Sequence, residues 1–249
     1  MTSPDADPAP DPVPDPTPDP AADTAALRES TDRLLAAVRK LDDASLAEPS
    51  RLPGWTRGHV LAHLARNADA LVNVLAGRPM YPSAEAREAD IERDASRPPA
   101  VQLEDLRGSA ARLDEAMAAL TGEEWGATVE LRNGVTDLAS SIPFRRRIEV
   151  ELHHVDLGIG YELEDMPASF TDRELENMAR RFSGHPGVEP VELRAPDGRV
   201  LRTGRAAGEG EPAVTVAGSP TALVGWLTGR TAGAGLTASA PVLPTLPPL

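Results

Sequence analysis

The feature that most constrains this chain is a spacing of three and four between apolar residues, repeated in separate runs from Leu27 to Ile159. Side chains three and four apart share one face of an α-helix, so each run predicts an amphipathic helix. The first contains Leu27, Leu34, Leu35, Val38 and Leu41, and "LPGW" breaks it. A second opens at Thr56, a good N-cap, carries Val60, Leu61, Leu64, Leu71, Val74 and Leu75, and stops at Gly77, a glycine suited to the residue after a C-cap. A short helix is expected over 84–95 before "RPP". Another covers 100–120, with Leu103, Leu106, Ala110, Leu113, Met117 and Leu120. After a turn at "RNG" (132–134), the last starts near Pro143, with Phe144, Ile148, Leu152, Val155 and Ile159 in one stripe.

Beyond about residue 166 the pattern alternates between helix and strand. "DRELENMARRF" is helical, and "VELRAPDGRVLRTG" reads as two strands around a Pro-Asp-Gly turn. "AVTVAG" is a third strand, and "SPTALVGWLTGR" is a helix capped by Ser219 with Pro220 in its first position. The expected fold class is a two-domain chain, α followed by α/β: a four-helix bundle over 23–165, then a small α+β domain over 166–249 that ends in a Pro-rich strap. Residues 1–22, "MTSPDADPAPDPVPDPTPDPAA", are expected to be a disordered tail, because proline and like-charged aspartate leave nothing to build a core.

Composition narrows the function. The net charge is −14, of which the six aspartates in the first 23 residues account for −6. An acidic chain is repelled by phosphate, so neither nucleic acid nor an anionic membrane is an expected partner. No run of 18 apolar residues predicts a membrane span, and the N-terminus lacks the layout of a signal peptide. With no cysteine, the expected setting is the reducing cytoplasm, and any thiol chemistry must use a sulfur brought in by a cofactor.

Four of the five histidines fall in two helical runs: His59 and His63 in "GWTRGHVLAHLARNADAL", His153 and His154 in "RRRIEVELHHVDLG". Glu149 and His153, four apart, point the same way, about 100° from the apolar stripe of their helix. His63 is set among Val60, Leu64, Leu71 and Val74. Two facing bundle helices could therefore bring His63, Glu149 and His153 together, and two histidines with a glutamate and an open fourth position is a catalytic zinc arrangement. Read from spacing alone, the same residues also fit core histidines with satisfied ring nitrogens and a surface Glu–His pair.

"LPGWTRGHVLAHLARNADAL", then "RRRIEVELHHVDLGIGY" about ninety residues later, then "VAGSPTALVGWLTGR", strongly resembles the mycothiol-dependent maleylpyruvate isomerase family from residue 24 to the C-terminus. The resemblance implies a DinB-like metal-binding bundle with a small C-terminal domain. It also implies a divalent metal, usually zinc, held at positions matching His63, Glu149 and His153, with mycothiol as thiol cofactor. A substrate-binding arginine after the second helix is implied as well, with Arg93 the best match and Arg97 a rival. The implied reaction converts maleylpyruvate to fumarylpyruvate: reversible addition of a thiolate turns the double bond into a single bond that can rotate. The expected protein is a cytoplasmic monomer whose partners are mycothiol and a small-molecule substrate. The alternatives are a mycothiol S-transferase and a non-catalytic metal-binding bundle.

Overall fold

The computed structural model describes residues 18–208, 211 and 213–248. Four long helices form the first domain: α1 (Pro20–Val38), α3 (Arg57–Leu75), α5 (Pro99–Ala118) and α7 (Ile142–Asp156). They pack as a ring, with α1 against α5 and α7, and α3 against the same two. Shorter pieces join them: α2 (Asp43–Ala47), α4 (Ala84–Ala95), α6 (Gly122–Trp125), and a hairpin of β1 (Thr128–Glu130) and β2 (Thr136–Leu138). The hairpin turns at Asn133 and Gly134, both at positive φ. Its strands are three residues each and largely exposed, too short and too polar to announce themselves by alternation.

The tail boundary differs from the sequence expectation. Helix α1 begins at Pro20, because Asp19 accepts hydrogen bonds from the backbone N–H groups of Ala21 and Ala22 and proline fits the first helical position. Residues 19–22 are thus a capped first turn, and the remainder of the expected tail, 1–17, lies outside the described residues.

Leu34, Val60, Leu61, Leu64, Leu106, Leu113 and Val150 lie in the bundle core. Gly58 permits a close approach between the start of α3 and the end of α4. A Cβ on Gly58 would sit 2.1 Å from the carbonyl oxygen of Ala95, which also accepts a hydrogen bond from Gln102 Nε2 at 2.8 Å.

The second domain consists of α8 (Ala168–Phe182), β3 (Val191–Arg194), β4 (Val200–Thr203), β5 (Val214–Ala217), α9 (Pro220–Leu227) and β6 (Thr237–Ala238). Its sheet runs β4-β3-β5-β6, with β3 and β5 parallel and the outer pairs antiparallel. Val191, Leu193 and Val216 pack with Phe170, Leu175, Met178 and Phe182 of α8 and Leu223 and Leu227 of α9. Ser219 caps α9 with Pro220 next, as the sequence indicates.

Helix α7 belongs to both cores. Ile142, Val150 and Leu157, just past its end, face the bundle. Phe144, Ile148, Leu152 and Val155 pack into the second domain, so the stripe read from sequence as bundle core is the domain junction. A helix buried on two faces leaves two polar seams between them. One carries Glu149 and His153. The other carries Glu151, which accepts hydrogen bonds from Ser30 (2.5 Å), Arg33 (2.7 Å) and Tyr161 (2.6 Å). Among the described residues no helix is long and apolar enough to cross a membrane.

Candidate metal centre

The first seam of α7 faces α3. His63 Nε2 lies 2.9 Å from Glu149 Oε2, and His153 Nε2 lies 3.3 Å from the same oxygen. The three ligand atoms all fall within 4.8 Å of one another, and the two imidazoles meet edge to face with centroids 4.8 Å apart. Local sequence explains the placement. The i, i+4 spacing stacks Glu149 over His153, and Thr56 caps α3 with a reciprocal bond to His59, which fixes the helix one turn before His63.

Each histidine has a second contact. His153 Nδ1 sits 2.8 Å from Asp156 Oδ2, and Asp156, itself buried, accepts from Arg230 at 2.7 and 3.2 Å. A carboxylate on Nδ1 holds a proton there, so that an ion in place of the Nε2 proton would meet the ring's other lone pair, the arrangement usual behind a metal-bound histidine. His63 Nδ1 lies 3.2 Å from an Nη of Arg87, and Trp55 packs on the ring at 5.5 Å.

Electrostatics follow from burial and these contacts. Burial disfavours the Glu149 carboxylate, but hydrogen bonds and charge from His153 and His63 outweigh it and hold the group well below the usual carboxylate range. Burial pushes His63 down despite Glu149. In His153 burial acts the same way but is overcome by Asp156 and Glu149, which raise it. Two imidazole nitrogens and one carboxylate converging at this distance fit a divalent ion of zinc-like preference.

The cluster opens into a cavity of about 580 Å³ between the domains. Its walls include Arg87, Arg145, Arg181 and Arg230, with Glu174 and Met178 from α8. Three of the four arginines already have acidic partners: Arg87 pairs with Glu88, Arg145 with Asp137 and Arg230 with Asp156. Arg181 makes no ion pair among the described residues.

Two models from one family cover most of the chain. The mycothiol maleylpyruvate isomerase N-terminal domain matches residues 4–158, and the C-terminal domain of the same enzymes matches residues 165–248. The chain belongs to the mycothiol-dependent maleylpyruvate isomerase family. Among solved structures, a mycothiol-dependent maleylpyruvate isomerase superposes with a TM-score of 0.84 at 29% identity, over 93% of this chain and 97% of that one. A histidine-to-alanine mutant of a mycothiol-dependent maleylpyruvate isomerase gives 0.84 at 28% identity with the same coverage. No curated protein matches the sequence.

Within this member of the isomerase family, the other sequence candidates lie elsewhere. Arg93 does not reach the cavity: its side chain is 56% exposed and pairs with Asp90 and Asp94 on its own helix. Arg97 pairs with Asp94 and Asp105. The arginine of α4 that meets the cluster is Arg87, two turns earlier. His59 turns from the cluster toward Thr56 and Glu92. His154 is buried in the other seam, stacked on Tyr161 at 4.0 Å. The arginines at 145–147 are the sequence's fallback for the substrate arginine, and Arg145 does line the cavity. Arg181 and Arg230 carry no sequence signal that ties them to the cluster, because only the docking of the two domains brings them there.

Proposed function

We propose that this protein is a mycothiol-dependent cis–trans isomerase acting on maleylpyruvate, with His63, Glu149 and His153 as ligands of a divalent metal, most suitably zinc. The observation that carries the reading is the convergence of those three donors on the floor of an arginine-lined cavity. Family membership supports the choice of thiol and substrate. An ion held there with mycothiol beside it would supply the thiolate nucleophile that a chain without cysteine lacks.

The chain's own groups then have separable tasks. Arg181, with no ion pair among the described residues, is the cation available to a substrate carboxylate, and a guanidinium fork suits that geometry. Arg87 stands beside His63 and answers a second carboxylate or the charge that develops when the double bond is opened. Asp156 holds the His153 ring in one orientation. Trp55, Leu52 and Ile148 line the apolar part of the cavity and exclude water from an anion as it forms. The lack of cysteine supports a cytoplasmic setting.

The test follows the ultraviolet absorbance of maleylpyruvate with purified, metal-analysed protein, with and without mycothiol. About one divalent ion per chain and turnover only with mycothiol are expected, and His63→Ala should lose the ion while keeping its helical circular dichroism. Conjugation of simple electrophiles without isomerisation would replace this reading with a transferase. A bound ion without reaction toward any electrophile would replace it with a non-catalytic bundle.

A further inference from the structure

One buried group in the cavity wall has no part in the account above. Glu174, on α8 in the second domain, is only 1% exposed, yet it lines the cavity that holds the His–Glu–His cluster. Its Oε2 accepts one hydrogen bond, from Asn177 Nδ2 at 3.1 Å, and it makes no ion pair among the described residues. A buried carboxylate is ordinarily paired, because leaving water is costly for a charge.

The groups that face Glu174 are cations at a distance: Arg181 two turns along α8, Arg145 from α7, and Arg230 from the segment after α9. Strand β4 also packs on α8, where Thr203 donates to the carbonyl of Ala179. Burial outweighs the three arginines and Asn177, and raises the Glu174 carboxyl to about 7. A group that is half protonated near ambient pH can both give and take a proton, and such groups gather where acid–base work is done.

We propose that Glu174 is the proton donor and acceptor of the isomerisation, protonating the substrate's ketone oxygen while the double bond is opened. The inference rests on the isomerase reading above. As a carbon–sulfur bond forms at one alkene carbon, the π pair moves through the conjugated chain and the carbonyl becomes an enolate. The Glu174 carboxyl gives its proton to that oxygen and becomes a carboxylate, which Arg181 and Arg145 are placed to accompany. After rotation about the new single bond, the carboxylate takes the proton back. The carbonyl reforms, the carbon–sulfur bond breaks with its electron pair returning to sulfur, and the trans alkene is left. No proton is gained or lost overall, as an isomerisation requires. The division of labour places metal and nucleophile on the bundle and the proton on the second domain.

The test uses the full-length, metal-loaded protein and Glu174→Gln, which keeps the shape and can still accept from Asn177. The variant should retain its metal and hold KM within about threefold, while kcat falls by about a hundredfold or more and the pH–rate profile loses its limb near neutrality. A second measurement does not depend on turnover. In protein labelled with carbon-13 at glutamate carboxyls, one resonance should titrate near pH 7 and be missing from Glu174→Gln. A variant with kcat within about fivefold of an active wild type would overturn the role of Glu174 and leave the isomerase reading standing. So would a Glu174 carboxyl that titrates in the ordinary range. A wild type inactive with maleylpyruvate and mycothiol would overturn the isomerase reading, and this proposal with it.

Discussion

Burying Glu174 without a partner has a thermodynamic signature that can be read without any substrate. Its carboxyl titrates at about 7 when folded, against an ordinary value of 4.5. Between those pH values the folded protein holds a proton that the unfolded chain has released. Wild-type stability therefore falls as pH rises through that interval and levels off above it. At about 1.4 kcal/mol per unit, the interval comes to about 3 kcal/mol, and full burial of the side chain calls for no solvent discount. Glutamine carries no charge to desolvate. Glu174→Gln should accordingly be about 3 kcal/mol more stable than wild type at pH 8, roughly 6–12 °C in melting temperature for a chain of this size. At pH 5 the difference should shrink to under about 1 kcal/mol. Urea and thermal unfolding followed by near-ultraviolet circular dichroism at both pH values would measure it. Equal stability differences at pH 5 and pH 8 would refute the reasoning, since a pH-independent effect cannot arise from an altered ionisation. A stabilised but slow variant would also show that the wild type keeps a costly group for its chemistry.

Three further outcomes are expected. Asp156→Ala should weaken metal binding by about ten- to a hundredfold in chelator competition, because His153 loses the carboxylate on Nδ1; unchanged affinity would mean that packing alone orients the ring. Arg181→Ala should raise KM or lower kcat/KM by about tenfold or more, whereas Arg93→Ala, whose side chain is engaged by Asp90 and Asp94, should stay within about twofold. The reverse ranking would return the substrate arginine to α4. Gly58→Ala should cost about 2–3 kcal/mol in unfolding, because its Cβ would meet the Ala95 carbonyl at 2.1 Å; a neutral result would show that α3 and α4 can part easily.

The bundle was legible because burial of one face imposes a period that survives in the sequence, and Thr56, Gly77, Ser219 and Pro220 mark helix ends by local chemistry that needs no tertiary context. The convergence of His63, Glu149 and His153 was legible for the same reason: Glu149 and His153 are neighbours on any helix, and His63 lies on the core flank of another. What the periodicity hid was the partner. The stripe from Phe144 to Val155 has the same pattern whether it meets a bundle helix or a second domain, and here it meets the second domain. For that reason Arg181, Arg230 and Glu174 could not be tied to His63 from spacing, since the relation exists only once α8 and α9 are docked. Arg93 shows the converse, with its side chain engaged by Asp90 and Asp94 on its own helix. A short helix crowded with acids satisfies its own arginines, and proximity in sequence to the second helix is no guide to which of them turns inward.

The contact of Arg230 with Asp156, and of Asp156 with His153, runs from one domain to the other through two hydrogen-bonded links. Whatever steadies one end must steady the other by the same free energy, because linkage is reciprocal. An ion that favours the held orientation of His153 therefore favours the docked second domain, and a well-docked second domain favours capture of the ion. During synthesis the bundle leaves the ribosome first, with Asp156 still lacking its arginine. Its affinity for metal should then be at its lowest and rise only when residue 230 arrives. On the proposed ligand assignment, loading would follow completion of the chain, and a copy without residue 230 would be a poor competitor for scarce metal.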